Sequence, residues 1–444
     1  MAAPPLAEVV DLIKTQSASA PSLQQLLTAL QQREDQIIQQ LPEVDGAIDA
    51  LDPALHTLGL VFILNCKAAA VPLSQPQVVG VFLRQCRGLL LGMDASQVRL
   101  LPAQFVGVCT RFAAAAIAVE APLQAVAPLH AAALALQPTP THFTPLHAEF
   151  LKLCLLARCY HAAAPLLAQE LCHVSKKETD VSPRDLLLYH YYAGMVETGR
   201  KRYRSAVDFF TLCVSAPTHV LNTIMLEAYK KCLLCSLVDT GEPPKLPKYT
   251  SPTVSRAIKS QLGPYNELQE AFASGKPPAL RACLDKHAAE YAADRNLGLA
   301  KQAADALTRR SVVHLTETYL TLSLGAIASR VGLADAAAAE RLVVAMIGSG
   351  EIAAAIDQPA GMVHFLERAE TYEQPSTLHT MEAALDHAVE LAGKLHELHA
   401  SLAADPNYLM RSAPPTDRLG GGGGGGAAAA GLGALEEDAV MGFK

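Results

Sequence analysis

The feature that most constrains this chain is a recurrence of apolar side chains at three- and four-residue spacing. It begins with Leu23, Leu26, Leu27, Leu30, Ile37, Ile38 and Leu41 and returns in block after block as far as residue 308. Such spacing lays apolar groups along one side of an α-helix and leaves Gln, Arg, Glu and Asp on the other. Comparable blocks occupy 47–69, 76–92, 97–120 and 122–136, separated by Pro, Gly and Asp rather than by hairpin signals such as Asn-Gly. Successive antiparallel helices are predicted.

Composition agrees and narrows the function classes. Half the residues are apolar, with Ala and Leu dominant, aromatics at 5% and Trp absent, a mixture that favours helices over sheets. A chain of 444 residues exceeds what one core supports, so more than one packed unit is expected. A net charge of −7 supplies no basic field for phosphate backbones or anionic lipid, so neither nucleic acid nor membrane is an expected partner. The most membrane-like stretch, 112–136, is interrupted by Glu120, Gln124, His130 and two prolines. Ten irregularly spaced cysteines in apolar stretches read as packed thiols in a reducing compartment. The opening Met-Ala-Ala-Pro-Pro-Leu-Ala-Glu has neither the basic nor the apolar part of a secretory signal, so cytoplasm and nucleus are expected.

Within the helical array, Gly194, Tyr203, Ala206 and Phe210 fall at tetratricopeptide-type offsets. Tyr160, Ala163 and Leu167 repeat part of that spacing. An all-α, TPR-like helical-repeat solenoid is predicted, continued by helices near 220–239, 263–274, 279–291 and 296–308. The Pro-rich 241–248 serves as a connector. After residue 310 the order becomes helix 311–320, helix 325–331, helix 335–347, then segments 351–356 and 362–365 flanking Asp357-Gln-Pro-Ala-Gly361. Three helices and a small β-hairpin make a winged helix. The expected organisation is repeats over 1–200, a helical part over 201–309, the winged helix over 310–370, a long helix over 374–404 and a Gly/Ala-rich disordered tail over 405–444.

Candidate chemistry fails one constellation at a time. Cys232 and Cys235 have zinc half-site spacing, but no second pair follows and they sit mid-helix. His396 and His399 are three apart where a zinc-protease helix needs four. Cys154, Cys159, Cys172 and His173 match no zinc module, no Gly-x-Gly-x-x-Gly follows a strand, and neither a phosphate loop, a serine elbow nor a His-x-His pair occurs. No catalytic residue, metal or cofactor is expected, and no enzyme. The third helix of the winged unit offers only Arg341 against Asp335 and Glu340, which suits protein rather than DNA. Arg200, Lys201, Arg202 and Arg204 read as a solvated turn first and a protein contact second.

A helical-repeat array running directly into a winged helix resembles the PCI family, named for the proteasome lid, the COP-9 signalosome and translation initiation factor three. Long strings look closer still to its signalosome members: His147-Ala-Glu-Phe-Leu-Lys-Leu-Cys-Leu-Leu-Ala-Arg-Cys-Tyr160, Tyr189-His-Tyr-Tyr-Ala-Gly-Met195 and Ile224-Met-Leu-Glu-Ala-Tyr-Lys-Lys231. The resemblance implies a non-catalytic scaffold subunit in a machine that removes the ubiquitin-like modifier Nedd8 from cullin-RING ligases, its metalloprotease being on another subunit. The alternatives within the family are a proteasome-lid subunit and an RNA-associated initiation-factor-type subunit. It also implies partners: other signalosome subunits, joined through winged-helix edges and a C-terminal helix bundle. The residues of this chain that suit such contacts are Glu351, Ile352, Ala354 and Ile356 on the wing, with Ile352 and Ile356 expected to fill alternate pockets of a neighbour. On the terminal helix they are Met381, Leu385, Leu391, Leu395, Leu398 and Leu402.

Overall fold

Each predicted apolar stripe becomes helix, with breaks where the backbone requires them. The computed structural model describes residues 6–17, 20–40, 44–72, 74–218, 221–366 and 375–412. The first stripe is two helices, Ala20–Gln32 and Glu34–Gln39. The second divides into Val44–Asp49 and Thr57–Ala70 around Asp52-Pro53, since proline disfavours helical backbone at the residue before it. The block at 97–120 divides into Ala95–Val98 and Pro102–Ala118, with Pro102 opening the new helix where its missing N–H costs nothing. Thr57–Ala70 is apolar all round and almost wholly buried, so other helices surround it. Its first turn is held by Gln97, whose Oε1 accepts from the Leu58 N–H at 3.0 Å.

The repeat offsets have a packing cause. Helices Pro183–Gly199 and Tyr203–Val214 form an antiparallel pair, with Ala206 and Phe210 buried between them. A Cβ at position 194 would lie 2.6 Å from the Phe210 ring, so only glycine lets the ring sit against the first helix. The block containing Tyr160 differs: after Pro145–Leu156 the chain makes a 3₁₀ turn, Tyr160–Ala163, and one further turn, Ala164–Leu167. That pair is therefore lopsided.

Three apolar cores follow one another along residues 6–366: Val9 to Val196, Leu187 to Leu307, and Val312 to Phe365. The helices predicted at 296–308 and 311–320 are one helix, Leu297–Thr318, because Arg309-Arg310-Ser311 contains no breaker. This helix contributes Ala300, Ala303 and Leu307 to the second core and Val312 to the third. Arg310 donates to the carbonyls of Val238, Asp239 and Thr240 at the end of Thr223–Asp239, and Arg309 pairs with Glu351 at 2.6 Å. The last repeat helices and the winged unit are thereby tied to one rigid rod. Pro252–Gln261, a helix after the Pro-rich connector, has no counterpart among the predicted elements.

The winged unit adds to that rod the helices Leu324–Val331 and Ala336–Gly348 and three strands: β1 (Thr321–Ser323), β2 (Ala354–Asp357) and β3 (Met362–Phe365). The sheet is antiparallel in the order β1-β3-β2, so the expected hairpin gains a third strand. Leu322 opposite Val363 and Ile356 opposite Val363 set the register of the two ladders.

Residues 375–412 belong to a second unit. Within it Pro375–Ala404 is a helix of 30 residues, about 45 Å long. Pro406–Ser412 adds a short helix inside the stretch expected to be unstructured, where Tyr408, Leu409 and Met410 interrupt the Gly/Ala composition. The glycine run itself lies outside the described residues.

Candidate protein-interaction site

The wing is built by parity. Ile352 is 5% exposed and belongs to the winged-unit core, while Ala354 and Ile356 pack partly against the same core. Ile352 therefore serves its own domain, while Ala354 and Ile356 do so in part and keep some exposed surface on the wing. The alternation is inward at even positions, and Ala355 and Asp357 face solvent. Glu351, before the strand, is held by Arg309 and accepts from the Ser349 hydroxyl at 2.9 Å.

What β2 presents is backbone. The Leu366 N–H donates to the Ala353 carbonyl at 2.8 Å, which makes 353, 355 and 357 the positions bonded to β3. The N–H and C=O groups of Ala354 and Ile356 point the other way, toward an edge that no described strand covers. A strand of a neighbouring sheet has four polar groups to pair with there.

The terminal helix presents side chains. Met381, Leu385, Leu391, Leu395, Leu398 and Leu402 are all exposed, Leu385 at 64%. Leu391, Leu395, Leu398 and Leu402 follow at four, three and four residues, the spacing of a seam between helices. His396 and His399 are exposed on this helix as well.

Of the sequence motifs that suggested chemistry, the Cys-x-x-Cys pair is core packing. Cys232 and Cys235 are fully buried in the second core; burial pushes their thiols up to about 12 and about 11, the reverse of an activated cysteine. Cys154 is buried, Cys159 half-buried and Cys172 exposed, and His173 stacks on His142 with ring centroids 5.2 Å apart. All ten cysteines are free thiols. On the third winged-unit helix Arg341 and Val344 are exposed, a surface with one cation. Arg200 pairs with buried Glu197 of its own helix end at 2.5 Å, and Lys201 donates to Gln302 of Leu297–Thr318 at 2.8 Å, so Lys201 links the turn to a second helix. No described helix is long and apolar enough to cross a membrane.

Sequence reasoning missed one convergence. Glu267 meets Cys283 and His287 from a neighbouring helix; the four-residue spacing of Cys283 and His287 was its only trace in the sequence.

Comparison with known proteins matches this architecture to one group. The family described as COP9 signalosome complex subunit 3, N-terminal helical repeats, matches residues 20–254, and the PCI domain matches residues 284–367. A Dictyostelium discoideum protein named COP9 signalosome complex subunit 3 is 34% identical over 383 residues, 86% of this chain and 90% of its own length. An Arabidopsis thaliana protein of the same name is 35% identical over 408 residues, 90% of this chain and 92% of its own.

Proposed function

From the premise that this chain belongs to the COP9 signalosome complex subunit 3 family, we propose that it is a non-catalytic scaffold subunit. In this reading it supports removal of Nedd8 from cullin-RING ligases by a metalloprotease carried on another subunit. The observation that carries the proposal is the pairing of two unlike adhesive features: the open backbone edge of β2 and the uncovered leucine seam of Pro375–Ala404. The edge recruits a neighbouring winged unit by strand addition. The seam takes its place among the helices of a bundle, where covering each half-exposed leucine contributes about 1 kcal/mol. The repeats and the Leu297–Thr318 rod hold the edge in a set orientation relative to the helical array.

The non-catalytic reading is supported by buried, strongly protonated thiols where the only Cys-x-x-Cys lies. Ten free thiols favour a reducing compartment, and cytoplasm and nucleus are proposed as its location. Tagged full-length chain, and a version truncated after Tyr372, should be captured from native extract and their partners identified by mass spectrometry. Recovery of signalosome subunits, weakened by the truncation, is the expected result. Proteasome-lid subunits, RNA-dependent partners or none at all would overturn it.

A further inference from the structure

Outside both adhesive features, the hairpin of Gly263–Ala273 and Pro277–Lys286, with His287 capping its second helix, brings together three side chains of a kind that bind metal. A carboxylate oxygen of Glu267, Sγ of Cys283 and a ring nitrogen of His287 lie within 4.8 Å of one another. Cys283 and His287, four residues apart, project from one side of the helix end. Glu267 reaches them from the neighbouring helix, its Oε2 standing 2.9 Å from His287 Nε2. Ligand atoms around a tetrahedral zinc ion are separated by about 3.3–3.8 Å, given bonds of about 2.0–2.3 Å, so small side-chain rotations bring the three to bonding positions.

A second observation points the same way. His287 Nδ1 lies 3.1 Å from Glu290 Oε1. A carboxylate on the far nitrogen holds the ring, keeps the proton on Nδ1 and leaves Nε2 to coordinate, which is how metal-bound histidines are commonly supported. We propose that Glu267, Cys283 and His287 bind a zinc ion, with Glu290 positioning the imidazole and water completing the fourth position. The set of thiolate, imidazole and carboxylate selects zinc over magnesium or calcium, which prefer oxygen alone. Binding releases the Cys283 thiol proton and, from protonated His287, the Nε2 proton. Lys286, now 2.7 Å from Glu267 Oε2 and 63% exposed along its side chain, gives up that contact and turns to water.

The test uses reduced, metal-free full-length chain and zinc alone, with a chromogenic chelator as competitor and cobalt as a spectroscopic substitute. One equivalent is expected, with sulfur-to-cobalt charge transfer that is lost in both Cys283→Ser and His287→Gln. Glu290→Gln should weaken affinity by about 10- to 100-fold. In the unaltered protein, zinc should slow alkylation of Cys283, mapped by mass spectrometry, while leaving exposed Cys172 unchanged. Absence of a stoichiometric site, full binding in both ligand variants, or unchanged Cys283 alkylation would each overturn the proposal.

Discussion

Replacing Ala354 or Ala355 by proline separates the two sides of β2. The Ala355 N–H and C=O are bonded to His364, whereas those of Ala354 point to the open edge. Proline at 355 deletes a ladder bond worth about 1 kcal/mol net and strands the His364 carbonyl, a further ~1–3 kcal/mol, so a loss of roughly 2–4 kcal/mol is expected. Proline at 354 removes a donor the sheet does not use, as edge strands tolerate, and should cost the isolated chain about 1 kcal/mol or less. Assembly should reverse the order of importance. If a neighbouring strand pairs with this edge, Ala354→Pro deletes one of its bonds and obstructs its approach, weakening capture by about 5- to 150-fold for ~1–3 kcal/mol. Urea melts of the purified chain and competitive capture of partner subunits measure the two effects separately. An Ala354→Pro chain that melts and assembles like the original would refute pairing at this edge. Equal destabilisation by the two prolines would refute the parity assigned to β2.

Three further outcomes follow from the same geometry. Changing Leu391, Leu395, Leu398 and Leu402 together to Gln should leave chain melting unaltered, since all four are exposed, yet weaken partner capture by roughly 10²–10³-fold, at about 1 kcal/mol per half-exposed leucine; loss of chain stability with capture intact would place the seam inside its own fold. Gly194→Ala should destabilise the chain by about 1–3 kcal/mol, because the new methyl meets the Phe210 ring, and Gly194→Ala combined with Phe210→Leu should cost less than the sum of the two single changes. Stability should fall as pH drops from about 6.5 toward 4: burial holds His147 and His190 to about 4, so the unfolded chain takes up protons that the folded chain refuses, on the order of 3 kcal/mol per histidine when complete. His287, raised by Glu267 and Glu290, acts in the opposite sense, and its contribution is lost as pH rises through its folded value. Urea melts from pH 7 to 4.5 read the sum, and His190→Leu should make the acid slope shallower; a flat profile of the original chain, or an unchanged slope in the variant, would refute it.

Much of the fold was legible because helix periodicity and its interruptions are local. The stripe at Pro76–Gly92, the proline-opened helices and the Gly194–Phe210 offset each follow from residues within a few turns of one another. The terminal seam was legible for the same reason, its spacing needing no partner to be seen. The wing was half legible: Pro359 and Gly361 marked the turn, but Ala353-Ala354-Ala355 carries no alternation from which to read which side faces inward.

By itself, then, the sequence determined most of the helical blocks and that a winged unit ends the array, since each depends on side chains near in the chain; the join across 309–311 and the helices Pro252–Gln261 and Pro406–Ser412 were not read from it. Tertiary structure alone decided that Leu297–Thr318 spans two cores, that β1 joins the sheet, and that Ile352 and Ile356 turn inward. It alone decided that Glu267 meets Cys283 and His287. Those outcomes rest on which distant surfaces exclude water together, and burial of that kind has no fixed spacing along a chain.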